Sequence, residues 1–352
     1  MTLGIRATIA AYLIVMLVPL TAHAWDRGDV DTFATLPPGE RHPEGIAADS
    51  TGNIYVTTFD VTHGGRPGQL FVFGRNGKLI RQVGVAGSSN LLLGLDFHPT
   101  THELLVIDFG SANVRRVDPF TGTSSVFMTV TGSAGLNALT FDSAGNVYVS
   151  DSFQGIIWKT GPGGGAGTMW ASSPLLTTTG VPGFGANGVA FNNAQTFLFV
   201  ANTGNDTIVK IPVNNGSAGK PAVFVNSING ADGLFIDEHD NIWVAANQAD
   251  EIVVVNAAGR AIAKLGDFDG IDQKGRPLGL LFPASHVRSG EFVFVTNLAI
   301  DLRLFDDPAH PELTNGTVDS QWAAEVKVDT IAKIRARLPG VEGLPRVPGM
   351  DD

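Results

Sequence analysis

The chain has 352 residues, with 43 Gly, 19 Pro, no Cys and only 16% charged residues. Zero cysteine excludes a disulfide framework, thiolate catalysis and Cys-ligated zinc or iron–sulfur centres. Lys and Arg number 23 against 34 Asp and Glu, and the resulting charge of −11 has the wrong sign for a nucleic-acid footprint. In chain order, Met1 to Ala24 reads as a secretory signal. Arg6 supplies the positive start, Ala7 to Leu20 is apolar apart from Thr8, and Ala22-His23-Ala24 offers a small-x-small cleavage site near Ala24. The apolar run is shorter than the roughly 20 residues of a membrane span, and no later stretch is apolar enough to cross a bilayer. The expectation is a secreted or periplasmic protein that leaves the membrane once the signal is cleaved.

Val30-Asp-Thr-Phe-Ala-Thr-Leu follows as a strand with no partner near it in sequence. Then one phrase recurs. Glu44-Gly-Ile-Ala-Ala-Asp-Ser-Thr-Gly-Asn-Ile-Tyr-Val, Asn137-Ala-Leu-Thr-Phe-Asp-Ser-Ala-Gly-Asn-Val-Tyr-Val and Asp232-Gly-Leu-Phe-Ile-Asp-Glu-His-Asp-Asn-Ile-Trp-Val are copies of it. Leu93-Gly-Leu-Asp-Phe-His, Asn187-Gly-Val-Ala-Phe-Asn and Leu278-Gly-Leu-Leu-Phe-Pro are looser copies. Their starting positions (44, 93, 137, 187, 232 and 278) lie 44 to 50 residues apart. Six units of that length predict an all-β, six-bladed β-propeller over 25–340.

Each unit parses into four strands. Strand A is apolar (Gly45 to Ala48), an Asp-x-x-Gly-Asn turn follows, strand B alternates (Ile54-Tyr55-Val56), and strand C runs from Gly68 to Phe73. Asn76-Gly77 is a hairpin signal before strand D. The sixth unit lacks a strand C after Asn297, but Asp329-Thr-Ile-Ala-Lys-Ile-Arg nearly repeats Asp206-Thr-Ile-Val-Lys-Ile. Asp329 to Arg335 is therefore read as that strand, displaced by an insertion over 301–328. No strand D follows it, so Val30 to Leu36 is expected to close the ring as the outer strand of the last blade. Closure removes the free edge that invites aggregation. The segment 341–352 is a Pro- and Gly-rich tail.

The residues opening strand A should converge on one mouth of the central tunnel. In blade order they are Glu44, Leu93, Asn137, Asn187, Asp232 and Leu278. Two carboxylates and two amides, with no Lys or Arg in the ring, form a hard-oxygen set of the kind Ca²⁺ or another hard divalent cation takes. Asn and Asp also favour strand starts through their turn preference, which is the competing explanation. The absence of His from the ring speaks against zinc or copper.

Glu44 in Pro-Glu-Gly, Asn187 in Ala-Asn-Gly-Val-Ala-Phe and Asp232 in Ala-Asp-Gly-Leu-Phe-Ile-Asp resemble the regucalcin/gluconolactonase family (senescence marker protein, gluconolactonase and luciferin-regenerating enzyme). These are six-bladed propellers related to paraoxonases and NHL-repeat proteins. The resemblance runs over roughly 30–340. It implies Glu44, Asn187 and Asp232 as ligands of a catalytic divalent cation, and Asn137 as a further ligand or a substrate contact. Two positions depart from the pattern. Gly135 stands where gluconolactonases usually carry a sugar-gripping Arg, and Leu93 stands where paraoxonases carry a catalytic His.

The reaction suited to one hard cation and no nucleophilic side chain is hydrolysis of a small-molecule lactone or ester. Asp232 is the candidate general base. His63 and Arg66, in the long B–C loop of blade one, are candidate substrate contacts, with His42 near Glu44. His98, His239 and His286 are expected in solvent-facing A–B turns. The insertion, with Leu302, Leu304, Phe305 and Trp322, is expected over the mouth as a lid. Two alternatives remain: a non-catalytic NHL-type scaffold with a structural calcium, and a strictosidine-synthase-like enzyme. Substrate identity and oligomeric state are not legible in the sequence.

Overall fold

Six antiparallel four-stranded sheets arise from the repeated phrase, and blades one, three and five solve the A–B turn in the same way. In the computed structural model, which describes residues 25–305 and 318–338, Asp49 Oδ1 accepts the N–H groups of Thr51 and Asn53. Its Oδ2 accepts from Asn53 Nδ2 and the Tyr55 hydroxyl. Asp142 repeats the arrangement with Ala144, Asn146 and Tyr148, and Asp237 with His239, Asn241 and Trp243. One carboxylate thus saturates the turn and ties it to the aromatic residue of strand B, which is why Asp, Asn and an aromatic recur at fixed spacing.

The blades follow in sequence. Blade one is Pro43–Ala48, Ile54–Thr58, Gln69–Phe73 and Leu79–Gly84; blade two is Leu92–Phe97, Leu104–Asp108, Asn113–Val117 and Ser124–Thr129. Blade three is Leu136–Phe141, Val147–Asp151, Ile156–Thr160 and Thr168–Ser172; blade four is Ala186–Phe191, Phe197–Asn202, Thr207–Asn214 and Ala222–Val225. Blade five is Ala231–Ile236, Ile242–Ala246, Glu251–Val255 and Ala261–Leu265. Blade six takes Pro283–Ser289, Phe292–Asn297, Thr330–Arg335 and, from the other end of the chain, Val30–Thr35. Val30 pairs with Ile334 and Thr35 with Thr330, so the displaced strand C and the N-terminal strand D close the ring as expected. Each inner strand touches the inner strands of both neighbouring blades. Apolar clusters fill the blade interfaces; one packs Ile46, Val56 and Phe71 against Phe294 and Ile331.

The closure is pinned at Asp329. Its backbone carbonyl accepts from Leu36 N, its Oδ1 from the His42 N–H at 3.0 Å, and Arg41 Nε lies 2.8 Å from Oδ2. The segment 1–24, the tail 341–352 and the stretch 306–317 of the insertion lie outside the described residues. Among the described residues no helix is long and apolar enough to cross a membrane.

Every inner strand carries an irregularity in the same place. Pro43 pairs with Thr58 and Ile46 with Val56, leaving Glu44 and Gly45 opposite Thr57 alone. The same two-against-one bulge recurs in the other five blades. A bulge re-aims a side chain, and here it turns the first of the two residues to the mouth. The second residue meets the next blade: a Cβ on Gly188 would lie 2.4 Å from Asp232 O. Hydroxyls on strand B serve the bulge: Ser150 accepts from Ala138 N, and Thr296 accepts from Ser285 N and donates to Glu44 O of the next blade.

That register corrects one expectation. In blade six Pro283 pairs with Asn297 and His286 with Val295, so the mouth residue is Ala284, not Leu278. Leu278 lies in the preceding hairpin (Phe268–Ile271 with Pro277–Gly279) and is 41% exposed. The Leu-Gly-Leu-Leu-Phe string resembles a strand A, but its Gly279 takes φ +78 at the hairpin's end. Two histidines differ for related reasons. His239 is exposed in its turn, whereas His98 is buried with Nε2 2.9 Å from Gly145 O, and His286 sits inside strand A of blade six.

Candidate metal centre

The bulges bring Glu44, Leu93, Asn137, Asn187 and Asp232 to the wall of one cavity of about 50 Å³. All five are at most 5% exposed. A second tier comes from the residue just beyond strand B in four of the blades: Phe59, Thr203, Asn247 and Leu298 line the same cavity. The tiers are bonded to each other. Asn247 Nδ2 donates to Asp232 Oδ2 at 2.9 Å, Asn187 Nδ2 to Thr203 Oγ1 at 3.0 Å, and Asn137 Nδ2 to Ser152 Oγ at 3.3 Å. Ser152 and Thr203 pass their own protons to Ala186 O and Ala231 O of the next blade.

Three buried oxygens are left without a donor: Glu44 Oε2, Asp232 Oδ1 and Asn247 Oδ1. Burial, then the nearby charge of Asp232, pushes the Glu44 carboxyl well above the usual carboxylate range. Burial pushes Asp232 up to about 7, against the Asn247 hydrogen bond and the nearby Asn187 amide and Gly233 N–H that hold it down. Two buried carboxylates on one cavity, with no Lys, Arg or His among its described lining residues, cannot both stay ionised without a positive partner. Carboxylate and amide oxygens that receive no hydrogen bond, beside N–H and O–H groups already bonded to the protein, fit a hard divalent cation.

The remaining expected site residues lie elsewhere. Asp60 and Glu40 hold Arg66, each with an oxygen 2.6 Å from Nη2, and His63 Nδ1 lies 2.8 Å from Asp60 Oδ2. Neither His63 nor Arg66 lines the cavity; their contacts with Asp60 and Glu40 hold both in the B–C loop of blade one. His42 adopts a left-handed backbone (φ 57) and braces the entry to blade one, with Nδ1 3.1 Å from Leu298 O. Of the insertion, Leu302 and Phe305 line the cavity; Leu304 is exposed, and Trp322 packs its ring 5.7 Å from that of Phe268.

A third acidic group, Asp237 with Glu238 and His239, brings its ligand atoms within 4.8 Å of one another. It is the A–B turn of blade five: both Asp237 oxygens are engaged by the turn, and Glu238 pairs with Arg288 at 2.7 Å. At Gly135 a Cβ would come within 2.7 Å of the Phe153 ring. Sequence reasoning missed Asn247 and Thr203. The signal was an offset of 14 to 16 residues from each mouth residue, visible only once strand B's end was known.

The sequence model described as "SMP-30/Gluconolactonase/LRE-like region" matches residues 111–266. No curated protein matches the chain significantly. Among solved structures, a luciferin-regenerating enzyme superposes with a TM-score of 0.60 at 15% identity, over 88% of this chain and 95% of that one. The calcium-binding protein regucalcin from Agrobacterium tumefaciens gives 0.57 at 14% identity, over 89% and 99%. A gluconolactonase from Xanthomonas campestris gives 0.57 at 14%, over 76% and 86%. At those identities the likeness is one of fold. The bulged mouth and the closed ring make this chain a six-bladed propeller, and its residues 111–266 match the SMP-30/gluconolactonase/LRE-like sequence model.

Proposed function

We propose that the protein is an exported, divalent-cation-dependent hydrolase of lactones or related esters, with Ca²⁺ the cation its oxygen donors favour. The observation that carries this reading is the trio of buried, donor-free oxygens on Glu44, Asp232 and Asn247 facing one cavity. Glu44, Asn187 and Asp232, with Asn137 and Asn247 beside them, would hold the cation. When bound, a hard cation polarises a carbonyl and stabilises the oxyanion that forms on attack. Asp232 is the candidate general base for the attacking water: Asn247 fixes its orientation through Oδ2, and Oδ1 is left without a donor. The proton taken from that water passes to the ring oxygen as the acyl C–O bond breaks, giving a hydroxy acid. Met1 to Ala24 supports export, and the regucalcin and gluconolactonase likenesses support the cation and the reaction class.

The test uses the chain purified without added salts. Metal analysis is expected to find about one equivalent of calcium, and chelation to lower the melting temperature and abolish lactone hydrolysis. Asp232→Ala is expected to lose at least about 10²-fold in kcat/KM and most of the calcium-dependent thermal shift. A thermal shift without turnover on any lactone would instead support a scaffold with a structural cation.

A further inference from the structure

The cavity's polar floor is spent on itself. Asn137 donates to Ser152, Asn187 to Thr203 and Asn247 to Asp232, while the two hydroxyls donate to backbone carbonyls. The oxygens left over are acceptors suited to a cation. A polyhydroxylated substrate would therefore bring several hydroxyls into a site with few free partners, each unpaired group at a cost.

The other wall is apolar and built from segments far apart in sequence. The Phe59 and Phe109 rings meet edge to face at 5.5 Å, and Phe59 stacks with Phe305 of the insertion at 6.3 Å. Phe109 lies 5.6 Å from Phe153 and 6.0 Å from Phe184, which is itself 5.8 Å from Phe153. Phe59, Phe184 and Phe305 line the cavity directly; Phe109 and Phe153 back them. Neither Arg303, two residues from Phe305, nor Arg66 lines the cavity; Asp301 pairs with the first and Glu40 and Asp60 with the second.

Resting on the hydrolase reading above, we propose that the substrate is an uncharged lactone or ester bearing an alkyl or aryl substituent, and that Phe59, Phe184 and Phe305 determine this specificity. The floor takes the carbonyl and the phenylalanine wall takes the substituent. No group on the described walls is placed to grip a carboxylate or a polyol.

The experiment compares the calcium-loaded full chain on γ-butyrolactone, γ-hexalactone, γ-octalactone, γ-decalactone and D-glucono-δ-lactone. The same γ-alkyl series made as non-hydrolysed γ-lactams is titrated by calorimetry. Burial of a methylene predicts that kcat/KM and lactam affinity each rise about three- to fourfold per carbon until the wall is filled. Phe305→Ser is expected to flatten both slopes, chiefly through KM, and Phe305→Leu to keep them. A preference for D-glucono-δ-lactone over γ-decalactone, or a flat lactam series, overturns the inference and leaves the hydrolase reading standing. Rising lactam affinity with no lactone hydrolysed sinks the hydrolase reading and upholds the apolar wall.

Discussion

His286→Leu should stabilise this protein, and more so in acid. Position 286 lies two residues beyond the mouth residue of strand A, where the other blades place Ile46, Leu95, Leu139, Val189 and Leu234. His286 is 7% exposed, its ring centre lies 5.0 Å from that of Phe235, and neither ring nitrogen has a hydrogen-bond partner. The Trp243 backbone is near but falls outside hydrogen-bond geometry. Two unpaired buried nitrogens cost about 1–3 kcal/mol, which an isosteric apolar side chain would recover at pH 8. Burial also lowers the ring's pKa from 6.5 to about 4. The unfolded chain therefore binds the proton better, and the native state loses stability as pH falls from about 7 toward 4. At pH 5 that loss is about 2 kcal/mol, and it vanishes in the Leu variant. Urea denaturation of both proteins at pH 8 and pH 5 reads the two terms separately; titrations elsewhere cancel in the difference. A stability difference that is the same at both pH values, or a variant weaker at both, would refute the reasoning by showing that the imidazole is well paired in its site.

Two further outcomes test the scaffold. Gly188→Ala would push a methyl into Asp232 O and is expected to lower stability by about 2–4 kcal/mol and loosen the mouth, whereas Gly163→Ala, with nothing within 4 Å of its Cβ, should stay within about 0.5 kcal/mol. Comparing their unfolding midpoints and calcium affinities checks this, and equal losses would count against the close-approach argument. Asp329→Ala removes the acceptor for His42 N and the partner of Arg41, at about 2–4 kcal/mol. Limited proteolysis should then cut first between residues 25 and 42; unchanged protection of that segment would show the latch to be dispensable.

The blades were legible because each is a local solution written in a few residues. Asp49, Asp142 and Asp237 recur because one carboxylate closes each turn, and Asp329 to Arg335 was recognisable as a displaced strand because it copies Asp206 to Ile211. Counting along those repeats brought Glu44 and Asp232 to the same mouth. The same counting failed at Leu278, since an apolar-Gly-apolar string is compatible with both a bulged inner strand and a hairpin end. Only the pairing of Pro283 with Asn297 separates the two.

His63 and Arg66 were legible as loop residues of the right chemistry, but not as partners of Glu40 and Asp60. Hydrogen-bonded turns and alternating strands depend on neighbours a few positions apart, so the sequence by itself determined the six blades, their order and the closing strand. Asn247 against Asp232, and the five phenylalanines drawn from four blades and an insertion, depend on how loops of different lengths converge once the ring is shut. Tertiary structure alone decided those contacts, because no short-range pattern records which distant side chains will share a cavity.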